Sequence, residues 1–319
     1  MTLIEQLHPV VLVKIRYRLH FLEPFHFEPE MILHWRKELV RGARRSAESG
    51  GEDLSVFNAF LNPSPPTDLY ARRQFQKPAP PFIIDPASLE TKELATGELL
   101  SLDVLFPGDG VSHSLIFTRL LIGLGELGFF KGQGRFEVSS LSALTHCDGW
   151  QPLWDLGDSI ESFPMPLLKL QWLIQSHACF DSLVFRIVTP ARLLKKNRPL
   201  FKAKFSDIFP FILRRVTSVL YSCCHLELQL DLANLINEAA RVSLPDSCFD
   251  WTDWLYLDSR HKGEGVGGVT GAIPLQTGLA DDLLTLLRVA ELFNIGKGAC
   301  YGAGCVVLEP VLSRESVNG

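Results

Sequence analysis

The strongest constraint on the fold is a unit that occurs twice: an amphipathic helix, then a glycine loop, then a strand. The C-terminal copy holds Gly296, Gly298, Gly302 and Gly304, four glycines in nine residues. That density lets the backbone pass through positive φ and approach a partner closely. Ahead of it, Asp281 to Phe293 sets Leu283, Leu286, Leu287 and Ala290 on one face at helical spacing. Asp281 and Asp282 sit where a helix N-terminus favours negative charge. Behind it, Cys305 to Leu308 reads as a strand. Nucleotide folds run strand, loop, helix, so that phosphate meets the helix N-terminus. The reversed order points away from a mononucleotide cofactor. It leaves a loop whose amides and Lys297 face a phosphate backbone, with Tyr301 either stacking on a base or filling core.

The other copy is Ser112 to Leu127, with Ile116, Leu120, Leu124 and Leu127 on one side, running into Gly128 to Arg135 and the strand-like Phe136-Glu137-Val138. Gly132-Gln133-Gly134 lies 170 positions before Gly302-Ala303-Gly304, so the chain reads as two related halves. In the first, Val10 to Phe21 alternates as a strand with Lys14, Arg16 and Arg18 on its outer face. A helix from Glu28 to about Ser46 follows, opened by Pro29. Two proline-rich loops, the strands 82–84 and 99–106, and the helix–loop–strand unit complete β-α-β-β-α-β, the ferredoxin-like order. A tryptophan-containing connector spans Asp148 to about Ser162. The second half repeats the order: strand 183–189, helices 205–223 and 230–242, strands 251–257 and 268–275, then the final unit. The expected fold is therefore α+β, two tandem ferredoxin-like (RRM-like) domains with Gly-rich loops, divided as 1–148 and 149–319.

With 319 residues, the chain is long enough for two such domains. No signal peptide is expected, and no run approaches the roughly 20 apolar residues of a membrane helix. The seven cysteines form no CxxC pair, which suggests reduced thiols and a cytoplasmic protein. Cys223-Cys224-His225 lacks a second pair at zinc spacing, so no metal is expected. A net charge of −5 speaks against a surface that binds nucleic acid everywhere. Phosphate affinity, however, is set by local basic patches. Arg192, Lys195, Lys196, Arg198, Lys202 and Lys204 follow one another with no acid between them, and Arg214-Arg215 come soon after. A second cluster, Arg36, Lys37, Arg41, Arg44 and Arg45, is diluted only by Glu38. Either cluster reads equally well as a solvated face.

Several stretches carry a resemblance to a known family: Gly296-Lys297-Gly298 with Tyr301-Gly302-Ala303-Gly304, Gly267-Gly268-Val269-Thr270-Gly271, Thr189-Pro190-Ala191-Arg192-Leu193, Leu213-Arg214-Arg215 and Leu39-Val40-Arg41-Gly42-Ala43. In these the chain resembles the Cas six family, CRISPR-associated endoribonucleases of the RAMP superfamily that cut repeat RNA into guide RNAs. The resemblance implies side-by-side ferredoxin-like domains and metal-independent cleavage with no cofactor. It also implies CRISPR repeat RNA and crRNA as partners, and assembly with CRISPR effector subunits. The chain itself is expected to stay off membranes, as a monomer or weak homodimer. Members commonly keep a catalytic histidine on the first helix. Around Ser259-Arg260-His261, relatives more often carry glutamine in the last place, which leaves Arg260 as an RNA contact and His261 a doubtful catalyst.

Metal-free RNA cleavage needs a base for the attacking 2′-OH, an acid for the departing 5′-oxygen and cations for the phosphorane charge. His34 is the first candidate, with Lys37 one turn and Arg41 two turns on. It reads equally as a histidine half-buried beside Trp35. His26 precedes the helix and is the next candidate; His113 begins the second helix, where the dipole disfavours imidazolium. The expected RNA contacts are Arg192, Lys195, Lys196, Arg198, Arg260, Gly296, Lys297, Gly298, Tyr301, Gly302 and Gly304. A non-catalytic subunit that only holds crRNA would use the same loops without a histidine. A small-molecule enzyme built on the glycine loops is disfavoured by their order.

Overall fold

The structure, a computed structural model, describes the chain except at residues 1, 29–30, 32–33, 51, 76, 87–91, 131, 148, 160–163, 176–182, 243–248, 255–265, 276–277 and 311–319. The expectations for Pro29, Arg260 and His261 lie outside the described residues. The first half runs α1 (Leu3–Gln6), β1 (Val11–Phe21), β2 (Phe25–Phe27), α2 (Trp35–Glu48), α3 (Leu54–Leu61), α4 (Leu69–Gln74), β3 (Ile83–Asp85), β4 (Lys92–Leu94), β5 (Leu99–Pro107), α5 (Ser114–Leu127), β6 (Phe136–Leu144), β7 (Trp150–Asp155), β8 (Leu168–Lys169) and α6 (Leu170–Gln175). The second runs β9 (Leu183–Ala191), β10 (Leu194–Lys195), β11 (Arg198–Pro199), β12 (Lys202–Ala203), α7 (Phe205–Cys224), α8 (Leu232–Arg241), β13 (Phe249–Trp254), β14 (Val266–Leu275), α9 (Asp281–Phe293) and β15 (Val306–Pro310).

The two sheets have the same topology. In the first, the strand order is β3-β5-β1-β6-β7, and in the second β12-β13-β14-β9-β15. All these pairings are antiparallel. In each, the first strand of a β-α-β-β-α-β unit lies between its third and fourth strands, which is the ferredoxin-like order. The alternation read in β1 holds: Val13, Ile15, Tyr17, Leu19 and Phe21 are buried. Two of the three cations on its outer face are paired with carboxylates. Lys14 pairs with Asp85 at 2.7 Å, and Arg16 grips Asp103 through both Nε and Nη2. The Arg16 guanidinium also lies 3.9 Å over the Trp150 ring. Trp150 belongs to β7, so the stretch read as a connector supplies an edge strand instead. β8 pairs with β1, so two strands of the first sheet lie beyond the expected division at residue 148.

The sheet of the first half is covered by α2 and α5. Trp35, Leu39 and Ala43 of α2 meet Phe117, Leu120, Leu121 and Leu124 of α5 in one buried cluster. Two glycines let the backbones touch. A Cβ on Gly42 would lie 2.4 Å from the Leu120 carbonyl oxygen, and one on Gly123 would lie 2.5 Å from that of Gly42. The register between the two helices is thereby fixed.

Near its C-terminus the chain returns to the first half. Cys300 and Tyr301 are buried in the same apolar cluster as Tyr17, Phe82 and Phe117. The Asn294 side-chain amide donates to the Ile84 carbonyl at 3.3 Å and to that of Ala299 at 3.0 Å. The last glycine loop is thus a clasp between the halves.

Candidate functional site

Helix α2 begins at His34, whose backbone is the N-cap residue. Its half-buried imidazole meets the ring of Phe130 edge-on. Phe130 sits in the first glycine loop at φ 38°, an uncommon angle for a residue with a side chain. One turn into α2, the carboxylate of Glu38 accepts the Phe130 backbone amide and pairs with Arg41 Nη1 at 2.5 Å. Burial pushes the Glu38 carboxyl above its usual range, with Arg41 pulling the other way. Arg41, expected as a catalytic cation two turns from His34, is paired with Glu38. Lys37 is exposed.

His26 stands on β2 and approaches the same loop through its neighbour. A Cβ on Gly134 would fall 2.4 Å from the Phe25 ring, so the loop can lie on that ring only because residue 134 has no side chain. His26 is exposed and bridges Glu28 at 3.1 Å and Glu93 at 2.7 Å. Hydrogen bonds to those two carboxylates raise its pKa. The carboxylate at 93 comes from β4, paired with β2 across 67 residues of sequence, so no local motif could have announced it.

The second glycine loop lies within electrostatic reach of the same end of α2. Arg36, which donates to Asn62 at 2.9 Å, is close enough to Cys300 and Tyr301 to act on their ionisation. Two expectations for this loop fail. Five of its amides do not face outward: those of Lys297, Tyr301, Gly302, Ala303 and Gly304 donate to the carbonyls of Arg192, Gly298, Ala299, Gly298 and Pro190. The glycines serve that internal bonding. Gly296, Gly298, Gly302 and Gly304 all have positive φ, and a Cβ on Gly304 would lie 1.9 Å from the Ile295 carbonyl oxygen. Nor can Tyr301 stack on a base. It is 8% exposed, edge-on to Phe82 at 5.6 Å, and its buried hydroxyl has no hydrogen-bond partner among the described residues. An aromatic side chain among small residues serves core packing here.

Lys297 and Arg192 keep exposed side chains on backbones joined by a bridge. Arg192 leads into a β-hairpin of β10 and β11, whose two turn residues Lys196 and Asn197 have φ of 51° and 62°. Positive φ at both central positions is the turn that suits the twist of a tight hairpin, and the Asn at 197 is the sequence signal for it. Lys196 and Arg198 are exposed, and Lys195 pairs with Asp207 at 3.2 Å. Arg214 is exposed as well, but Arg215 is not part of any basic surface. It is 5% exposed, donates Nε–H to the Phe293 carbonyl at 3.0 Å, and burial lowers its pKa. Among the described residues, no group of three or more His, Cys, Asp or Glu is placed to hold a metal. His225 pairs with Asp109 at 2.7 Å, and burial pushes the thiol of Cys224 up to about 12. No helix is long and apolar enough to cross a membrane among the described residues.

Residues 185–306 match the family model for the CRISPR-associated endoribonuclease Cas6, and residues 43–165 match a model described as an N-terminal domain. No curated protein sequence matches the chain. Among solved structures, a partial Cas6-RT-Cas1–Cas2 complex aligns with 95% of the chain at TM-score 0.58 and 16% identity. The chain spans 47% of that polypeptide, and 29% of the one in a Cas6-RT-Cas1–Cas2 complex with the same score. A Thermus thermophilus Cas6 aligns over 94% of the chain and 98% of its own, at TM-score 0.48 and 11% identity. The likeness at TM-score 0.58 concerns the fold. The family match covers the second ferredoxin-like half, residues 185–306, and the first half matches a different model.

Proposed function

We propose that the protein is an endoribonuclease that binds CRISPR repeat RNA and cuts precursor crRNA into guide RNAs. The cut proceeds without metal, by attack of a 2′-OH on the adjacent phosphate, leaving a 2′,3′-cyclic phosphate and a 5′-hydroxyl. The observation that carries this reading is the position of His34. It caps the start of α2 with its ring against Phe130 of the first glycine loop, two residues before the exposed Arg36. An imidazole at that junction suits proton transfer near neutral pH. Lys37 on the same helix and Lys297 on the second loop supply exposed positive charge for the phosphorane. His26, held between two carboxylates, is the alternative proton donor. Arg192, Lys196 and Arg198 are proposed to track the RNA backbone, with Arg260 as a further contact.

The test is incubation of the protein with its repeat RNA in EDTA. Cleavage with cyclic-phosphate ends supports the reading, and intact RNA overturns it. A second reading is favoured by the Glu38–Arg41 pair, which takes one of the expected cations out of action. In it the protein is a non-catalytic subunit that holds crRNA within a CRISPR effector complex, and intact RNA that stays bound would select it. Either way we place the protein in the cytoplasm, as a monomer or weak homodimer, needing no cofactor. We keep residues 1–148 and 149–319 as its two domains, with β7 and β8 lent by the second segment to the first sheet.

A further inference from the structure

Buried as it is, Tyr301 offers no aromatic surface to an unpaired base. We propose that Phe201, backed by Trp251, is a stacking platform for an unpaired nucleotide of bound RNA; this rests on the RNA-binding reading above. Phe201 is 60% exposed, although large apolar side chains normally seek cover. It lies between the hairpin of Lys196 and Arg198 and the exposed Lys202 and Lys204, within a run of six cations and no acid from residue 192 to 204. An exposed ring in so basic a segment matches the chemistry of single-stranded RNA, whose bases stack while its phosphates pair.

The platform is rigid. The Trp251 backbone amide donates to the Phe201 carbonyl at 2.8 Å, and the two rings lie 5.0 Å apart at 50°. The indole Nε1–H donates to Asp253 at 2.6 Å. A Cβ on Gly267 would sit 2.4 Å from the indole, so the glycine leaves the space that the ring occupies. The indole cannot turn away, and Phe201 keeps an outer face open to solvent. A base on that face needs no rearrangement of the protein, so only the ordering of the RNA offsets its stacking.

The experiment uses the full chain, fluorescein-labelled 12-nucleotide oligouridine, and a blunt RNA duplex of the same length. Phe201→Ala should weaken oligouridine binding about tenfold with an unchanged salt slope, because no cation is lost. Phe201→Trp should restore it, and duplex binding should not move. An abasic linker scanned along the oligouridine should weaken the unmutated protein at one position and leave Phe201→Ala indifferent there. Equal affinity of Phe201→Ala and the unmutated protein for oligouridine overturns the proposal, as does an equal loss on the duplex. RNA binding unchanged while self-association falls would mark the ring as a protein contact instead. If oligouridine binds through Phe201 but repeat RNA stays uncut, the platform stands and the nuclease reading fails.

Discussion

The imidazole of His34 meets the ring of Phe130 at right angles, 88° between planes and 5.7 Å between centroids. The first glycine loop therefore sets the orientation of this histidine, since Phe130 is itself pinned by the hydrogen bond its backbone amide donates to the Glu38 carboxylate. Replacing His34 with alanine should slow RNA cleavage by about two to four orders of magnitude, the range for a proton-transfer group. RNA affinity should hardly change, because a neutral imidazole adds little attraction for phosphate. Single-turnover rates and binding isotherms on the same RNA separate the two effects. Full-rate cleavage by His34→Ala would move the assignment to His26.

Charge reversal at the hairpin tests the electrostatic part of binding. Lys195 is already engaged by Asp207, so Lys196 and Arg198 are the informative positions. Changing both to glutamate should weaken RNA binding and flatten its salt dependence. Each phosphate left without its cation lowers the slope of log K against log[salt] by about 0.7–0.9. A titration from low to moderate salt reads the slope, and an unchanged value would mean that the hairpin does not touch RNA.

Tyr301→Phe is expected to do the opposite of what a stacking residue would. It removes a buried hydroxyl that has no partner among the described residues while keeping the ring against Phe82. Stability should rise by about 1 kcal/mol, the scale of an unsatisfied buried polar group. RNA affinity should stay as it was. Chemical denaturation and a binding isotherm decide; weakened binding with unchanged stability would return Tyr301 to the RNA surface.

Glu291 makes stability depend on pH. It accepts the Leu308 amide at 2.6 Å, joining α9 to β15, and burial raises its carboxyl from 4.5 to about 7. The folded protein then holds this proton more tightly than the unfolded chain does. Its contribution to stability is greatest below pH 4.5, falls as the pH rises toward 7 and levels off above. The whole difference is at most about 3 kcal/mol. Glu291→Gln keeps the acceptor for Leu308 and removes the titration. Its melting temperature should fall less than that of the unmutated protein between pH 5 and pH 8.

Much of this architecture is legible in the residues because one face of each element is buried. The alternation of β1 and the leucine spacing of α9 report the core directly, and α9 runs from Asp281 to Phe293 as the spacing requires. Elements shaped by distant partners are not legible. β7 reads as a connector because its strand character depends on pairing with β6, and β2 is a strand through β4. The site is less legible still, for the same reason. Glycine runs announce tight backbone but not whether the amides point outward. Those of residues 301 to 304 turn back on Gly298, Ala299 and Pro190. Similarly, Arg215 looks identical to Arg214 in sequence, and only helix phase sends one of them under Phe293.

The burial of Cys300 and Tyr301 among the phenylalanines of the first half has a consequence for biosynthesis. As the ribosome releases the chain, the first half emerges with an opening in its apolar interior beside Phe82. Nothing local can close it, because the side chains that do so are about two hundred residues away in sequence. The first core is complete only when the late glycine loop is in place. A product cut short before residue 300 would leave both halves unsealed and exposed to proteases.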